Sequence, residues 1–321
     1  MVIVEGKTTM TVRNDDAMII DCYTHIWEEE AQLGRCRPIS HRPPFPSRLV
    51  NVAEALPSAH RAAREPVDQS IVVGFKTSYL DANLPNELIA RYVESDPKRL
   101  IGFAGLDPSD PKRATDELLQ SREDWGFRGI AVAPAAQDFH PSNSQAMIVY
   151  AEAMQQRMPV LFHTGIYLAR ETKLEYARPI LLDEVARDLS ELKIIIAHMG
   201  FPWIHETIAL LSKHENVFAE ISWVLDYPWQ AYQALISAHE FGVTDKLLFG
   251  SGFPFGSAVN AIEALYGINH VSHGTNLPSV PRESLRGIVE RNAASIFDVA
   301  PTPEPAIAEA FDDEPAARNG F

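Results

Sequence analysis

Side chains able to move protons or bind a metal close several apolar runs of this 321-residue sequence: Tyr23 and His25 in IIDCYTH, His163 in PVLFHTG, His198 in KIIIAHMG, and Glu220 in VFAEIS. Imidazole changes charge near neutral pH and is also the commonest protein metal ligand. Three converging imidazoles could hold one zinc ion, each ring about 2.0–2.1 Å from the metal, with a fourth position left for water or substrate. Without a metal, the same rings could serve as acid and base, with Tyr23 as a hydrogen-bond donor. A lone histidine near an apolar strand is more often a hydrogen-bonded core residue. Three at the ends of three strands are harder to explain by packing, because each buried imidazole needs a polar partner.

The elements that must position these residues follow from the hydrophobic pattern. Apolar, β-branched runs alternate with helical patterns of ten or more residues, as in repeated strand–helix units around a parallel sheet. Eight strands are expected, at 18–25, 70–75, 100–108, 129–134, 159–165, 193–200, 217–222 and 247–254, with helices between them at 84–96, 111–125, 146–157, 180–192, 203–214 and 228–242. Eight such units predict a single (β/α)8 TIM barrel of the α/β class. Asp110 followed by Pro111 has helix-start chemistry. In such a barrel the active site lies at the C-terminal ends of the strands, where the polar residues above fall. Because alternate strand residues share a face, Tyr23 and His25 should both point into the barrel and Thr24 away.

Three segments depart from this rhythm. Residues 1–17 read as a leader without regular structure, 18–298 as the barrel, and 299–321 as an acidic Pro/Ala-rich tail that cannot bury enough apolar surface to order. The first strand–helix connection, 26–69, is long and Pro-rich, as binding loops or lids at a barrel mouth commonly are. It carries a basic patch, Arg35, Arg37, His41, Arg42 and Arg48, which is either a solvated loop or a lid that attracts an anionic substrate.

The composition narrows the partners. With 28 Lys and Arg against 43 Asp and Glu, the net charge of −15 argues against nucleic acid. No apolar run approaches the roughly 20 residues of a membrane helix or forms a signal peptide, so a cytoplasmic location is expected. Cys22 and Cys36 are too few for a disulfide framework or a cysteine-based zinc site, and both are expected as reduced thiols.

Over residues 18–298 the landmarks IIDCYTHIW, RLIGFAGLDPSDP, GFRGIAVAP, MPVLFHTG, LKIIIAHMGFPW, KLLFGSGFPF and ERNAASIF occur in an order that resembles the decarboxylase-like branch of the amidohydrolase superfamily, which includes aminocarboxymuconate semialdehyde decarboxylase and resorcylate decarboxylases. That resemblance implies a divalent metal held by two histidines of strand one, one of strand five and an aspartate of strand eight, with a strand-six histidine handling protons. Carried over, Asp21 matches the opening acid, His25 the second histidine, His163 the strand-five ligand and His198 the strand-six histidine. Two positions differ: Tyr23 stands where the first histidine is expected, and Gly252 where the aspartate is expected. Ala131 takes the place of the bridging lysine of two-metal relatives.

The resemblance therefore implies an enzyme that hydrolyses or decarboxylates a small anionic organic compound, with a reduced or absent metal site. One divalent ion, zinc by preference, would rest on His25, His163 and His198; otherwise no metal is held and His198, His163 and Tyr23 act alone. A barrel that binds a ligand or protein partner without turnover is the alternative, and a structural or assembly subunit a third. Arg170 is the expected anchor for a substrate carboxylate, since a guanidinium matches that group at two points. Trp27, Tyr176 and Trp223 are further substrate-binding candidates. Glu220 and Asp21 are expected to support the histidines or, for Glu220, to replace the missing acid. Homodimerisation is a family expectation.

Overall fold

The architecture is taken from a computed structural model that describes residues 18–36, 55–165 and 169–298. Both termini and most of the basic patch lie outside these residues, so the expectations for them rest on sequence alone.

Eight parallel strands are present: β1 (Ile20–Thr24), β2 (Gln69–Val73), β3 (Leu100–Gly105), β4 (Gly129–Val132), β5 (Val160–Phe162), β6 (Ile194–Ile196), β7 (Val217–Glu220) and β8 (Leu247–Leu248). Each pairs with its neighbour in chain order. The last returns to the first through Cys22 N–H to Phe249 O at 2.9 Å and His25 N–H to Phe253 O at 2.9 Å. The TIM barrel read from the alternation is therefore the fold.

Helices lie between the strands: α1 (Pro57–Ala63), α2 (Asn86–Glu94), α3 (Pro111–Glu123), α4 (Ser144–Gln155), α5 (Leu182–Asp188), α6 (Ile204–Lys213), α7 (Pro228–Glu240) and α8 (Ala258–Tyr266). Then come α9 (Arg282–Val289) and α10 (Ala293–Phe297). Helix α3 begins as its sequence dictates, with Pro111 in the first turn and the Asp110 carboxylate accepting from Arg113 N–H at 3.1 Å.

The apolar residues divide into two cores. Inside the barrel, Ile20, Ile71, Ile101, Phe103, Leu161, Ile195, Phe218 and Leu248 pack together, and α10 closes the lower end by setting Phe297 edge-on to Phe218 at 5.3 Å. Outside it, residues such as Val72, Ile130, Phe162 and Ile194 meet Leu118, Tyr150 and Leu211 of the helices. Each such side chain contributes roughly 1.5–3 kcal/mol by leaving water, so the lower barrel is an apolar base under the mouth.

At the mouth the strands end earlier than the hydrophobic runs suggest. The run at 193–200 leaves the sheet after Ile196, and His198 and Met199 take left-handed backbone angles, φ +54° and +49°. The physical reason is visible at His198, whose N–H donates to the Glu220 carboxylate at 2.6 Å instead of to the sheet. Likewise Phe75 belongs not to β2 but to a small antiparallel ribbon, Phe75–Thr77 with Ala82–Leu84. Both cysteines are free and buried. Among the described residues no helix is long and apolar enough to cross a membrane.

Candidate active site

Tyr23 and His25 project from the end of β1 on one face, as strand alternation requires, and their ring centroids are 4.8 Å apart. The Nδ1 of His25 lies 2.6 Å from the Val73 carbonyl, which can only accept, so Nδ1 carries the proton. In the neutral ring Nε2 is then an acceptor, and the Tyr23 hydroxyl donates to it at 2.8 Å. Burial keeps the ring neutral by lowering its pKa to about 4, and burial likewise pushes the Tyr23 phenol well above its ordinary value. Tyr23 is therefore a hydrogen-bond donor here and not a phenolate.

His163, at the end of β5, turns its ring toward Tyr23 at 6.0 Å and His198 at 5.1 Å between centroids. Burial, followed by the nearby His198 and His25 rings, holds its pKa well below the ordinary value. It is a neutral imidazole, 7% exposed, at the floor of the mouth.

His198 is fully enclosed. Its Nδ1 lies 2.7 Å from Ser222 Oγ and 3.1 Å from Glu220 Oε1. The Ser222 hydroxyl itself donates to Glu220 Oε1 at 2.9 Å, and Ser222 N–H to Oε2 at 2.6 Å. Since the carboxylate accepts all of these, His198 Nδ1 is the donor, and the buried Nε2 has no hydrogen-bond partner among the described residues. Glu220 thus holds both the backbone and the ring of His198. Asp21 sits deeper, accepting from Ser251 N–H at 2.8 Å and Tyr23 N–H at 3.3 Å. Burial raises its pKa to about 7 despite the Ser251 bonds.

Over this polar floor lies a slot walled by Trp27, Leu33, Cys36, Phe75, Leu84, Trp223 and Phe255, with Tyr23, His25 and His163 beneath. Its walls are mainly apolar and its polar groups lie on one side, at Tyr23, His25 and His163. A larger cavity of about 840 Å³ lies to one side, sharing Trp223 and Phe255 with the slot but touching neither Tyr23 nor His163. Of the two, only the slot reaches Tyr23, His25 and His163.

Tyr23, His25, His163, Trp27 and Trp223 are brought together as the sequence suggested, and His198 with Glu220 stands directly behind them. Arg170 and Tyr176 are not among the slot's walls. Arg170 is exposed, and the half-buried Tyr176 faces His140 at 6.1 Å and the Lys173 ammonium at 4.9 Å. Lys76 borders a small neighbouring cavity, but its ammonium is held by Glu117 at 2.7 Å. Arg35 pairs with Asp81 at 3.3 Å. Sequence reading missed Ser222, although its place two residues after Glu220 was a usable signal. It also missed the slot walls Phe75, Leu33, Leu84, Cys36 and Phe255, which come from loops whose paths local patterns do not encode.

With this geometry in hand, comparison places the molecule. A family model described as Amidohydrolase matches residues 20–299. The chain belongs to the amidohydrolase family. Among solved structures, the chain is similar to an uncharacterised TIM-barrel protein from Bordetella bronchiseptica, at 22% identity and a TM-score of 0.65, covering 88% of this chain and 99% of that one. It is also similar to a dihydroxybenzoic acid decarboxylase from a Polaromonas species, solved with manganese and 2-nitroresorcinol, at 18% identity, a TM-score of 0.61 and coverage of 88% and 97%. A third is a probable 2-pyrone-4,6-dicarboxylic acid hydrolase from Acinetobacter baumannii with citric acid bound, at 17% identity, a TM-score of 0.60 and coverage of 87% and 99%. These likenesses establish the shared fold. No curated protein matches the sequence.

The donors at the mouth, as arranged, do not fit a divalent ion. His25 has both ring nitrogens engaged, one by Val73 and one by Tyr23. Gly252 offers no carboxylate, and a side chain begun there would meet the Trp223 indole, with Cδ1 2.3 Å from its Cβ. Among the described residues no group of three or more His, Cys, Asp or Glu gathers around a point where a metal could bind.

Proposed function

We propose that this amidohydrolase is a hydrolase or carboxy-lyase for a small, flat, anionic compound, and that imidazole and phenol groups do the work without a metal. The observation that carries this reading is the neutral His163, its ring 6.0 Å from that of Tyr23, at the floor of an aromatic-walled slot. The names of two fold relatives, a dihydroxybenzoic acid decarboxylase and a probable pyrone-dicarboxylic acid hydrolase, support an aromatic or unsaturated carboxylate as substrate.

A ring kept neutral by burial is a proton acceptor first. In hydrolysis His163 would take the proton of the attacking water, while the Tyr23 hydroxyl would swing its one hydrogen from His25 Nε2 to the oxygen that gains charge. In decarboxylation it would take the proton of a substrate hydroxyl next to the carboxylate. It would then return that proton to the ring carbon as the carbon–carbon bond breaks and carbon dioxide leaves. His198 acts in this reading as a positioning residue, anchored by Ser222 and Glu220 and stacked behind Trp223.

The test is a screen of aromatic and unsaturated carboxylates and their lactones against the chelator-treated protein, following carbon dioxide release and ring opening. Turnover that falls by about 10²-fold or more in His163→Asn is expected. Activity that needs an added metal, or that ignores His163→Asn, overturns the reading. A barrel that binds without turnover is favoured by one observation, the mutual satisfaction of Tyr23 and His25. It would show tight binding of a screened acid with no product.

A further inference from the structure

Trp223 follows β7 with a left-handed backbone, φ +61°, a conformation bulky side chains rarely adopt. That turn delivers the indole to one place. The ring stacks on His198 at 4.7 Å and 17° between planes, and meets Phe255 edge-on at 4.9 Å. Its Nε1 donates to the Gly252 carbonyl at 3.4 Å. A Cβ at Gly252 would lie 2.3 Å from the indole Cδ1 and 2.4 Å from Nε1. These are separations that two rigid groups cannot share, and the Gly252 φ of +70° disfavours a side chain as well.

Resting on the metal-free reading above, we infer that Trp223 and Gly252 form a matched pair in which the indole occupies the volume of the absent strand-eight side chain. Trp223 thereby sets what the slot accepts. The site differs from a metal-binding mouth at three coupled positions, Tyr23, Gly252 and Trp223, and not at two independent ones. Returning the two missing ligands is therefore insufficient, because an aspartate at 252 cannot reach the mouth while the indole stands there. The indole also supplies part of the apolar wall of the slot.

Two measurements on the full chain test the pair. In the first, proteins exposed to manganese or zinc chloride and desalted are assayed for bound metal. The double variant Tyr23→His/Gly252→Asp stays at background, whereas adding Trp223→Ala raises occupancy to about one equivalent. Full occupancy in the double variant overturns the inference, as does a folded triple variant that remains at background. The second measurement needs no metal and tolerates poor folding of those variants. Gly252→Ala lowers the thermal midpoint more in the Trp223 protein than in Trp223→Ala, by about 2 °C or more, since the φ cost is common to both and cancels. Additive shifts overturn the pairing. A full equivalent of metal on the wild-type chain, with the thermal coupling retained, would sink the metal-free reading and leave the pair standing.

Discussion

The Tyr23 hydroxyl donates a 2.8 Å hydrogen bond to Nε2 of His25, the ring nitrogen that faces the mouth. Two residues on one strand face thereby satisfy each other, and the group best placed to bind a metal is already engaged. Removing the hydroxyl should expose that dependence. Tyr23→Phe leaves a buried acceptor without a donor, which costs about 1–3 kcal/mol. Urea denaturation should show a lower midpoint with an unchanged slope; an unaltered midpoint would contradict the bond.

Chelation should leave the protein intact. If no ion holds the mouth together, prolonged treatment with EDTA followed by desalting changes neither the thermal midpoint nor the circular dichroism spectrum. A ligand that binds only the folded state at 100 times its dissociation constant would stabilise by about 2.7 kcal/mol. A resident metal would therefore be seen as a lowered midpoint.

Ser222 joins His198 to Glu220 through its hydroxyl. Ser222→Ala removes that bridge and leaves Nδ1 only the Glu220 oxygen at 3.1 Å. Stability should fall by about 1 kcal/mol. Any turnover should drop mainly in kcat with a shifted pH profile, because His198 loses orientation and not bulk. A change confined to KM would argue against a positioning role.

Acid should destabilise the fold through His60. Burial holds this ring neutral and lowers its pKa from 6.5 to about 3. Between these values the unfolded chain binds more protons at this residue than the folded one. The stability it contributes is thus complete above pH 6.5 and is lost as pH falls toward 3, at up to about 1.4 kcal/mol per pH unit. His25, at about 4, acts in the same direction. Asp21, raised to about 7, acts oppositely, its contribution being complete below 3.8 and lost as pH rises through 7. His163, also held low by burial, adds to His60 and His25, and three histidines outweigh one aspartate, so denaturation midpoints fall on acidification. His60→Leu should flatten that slope by about one proton; an unchanged slope would place the acid sensitivity elsewhere.

The barrel, and the gathering of Tyr23 with three histidines at one end of it, were legible in the chain. Strand–helix alternation is a local pattern, and a polar residue closing an apolar run marks a strand end whatever lies next to it. His25, His163 and His198 were found for that reason, and Tyr23 was placed on the face of His25 by the two-residue repeat of a strand. Arg170 and Tyr176 were chosen from loops, where no repeat fixes direction, and neither reaches the slot walls.

What only the tertiary structure decided are partnerships between residues distant in sequence. The chain contains a glycine at 252 and a tryptophan at 223, but nothing local says that one leaves the space the other fills. Nor does it say that the Val73 carbonyl fixes the proton on His25 and turns Nε2 toward Tyr23. Periodicity determines which side of a strand a residue occupies. Which atom it meets there depends on the register of neighbouring strands and the paths of their loops, and those are set by packing around the closed barrel.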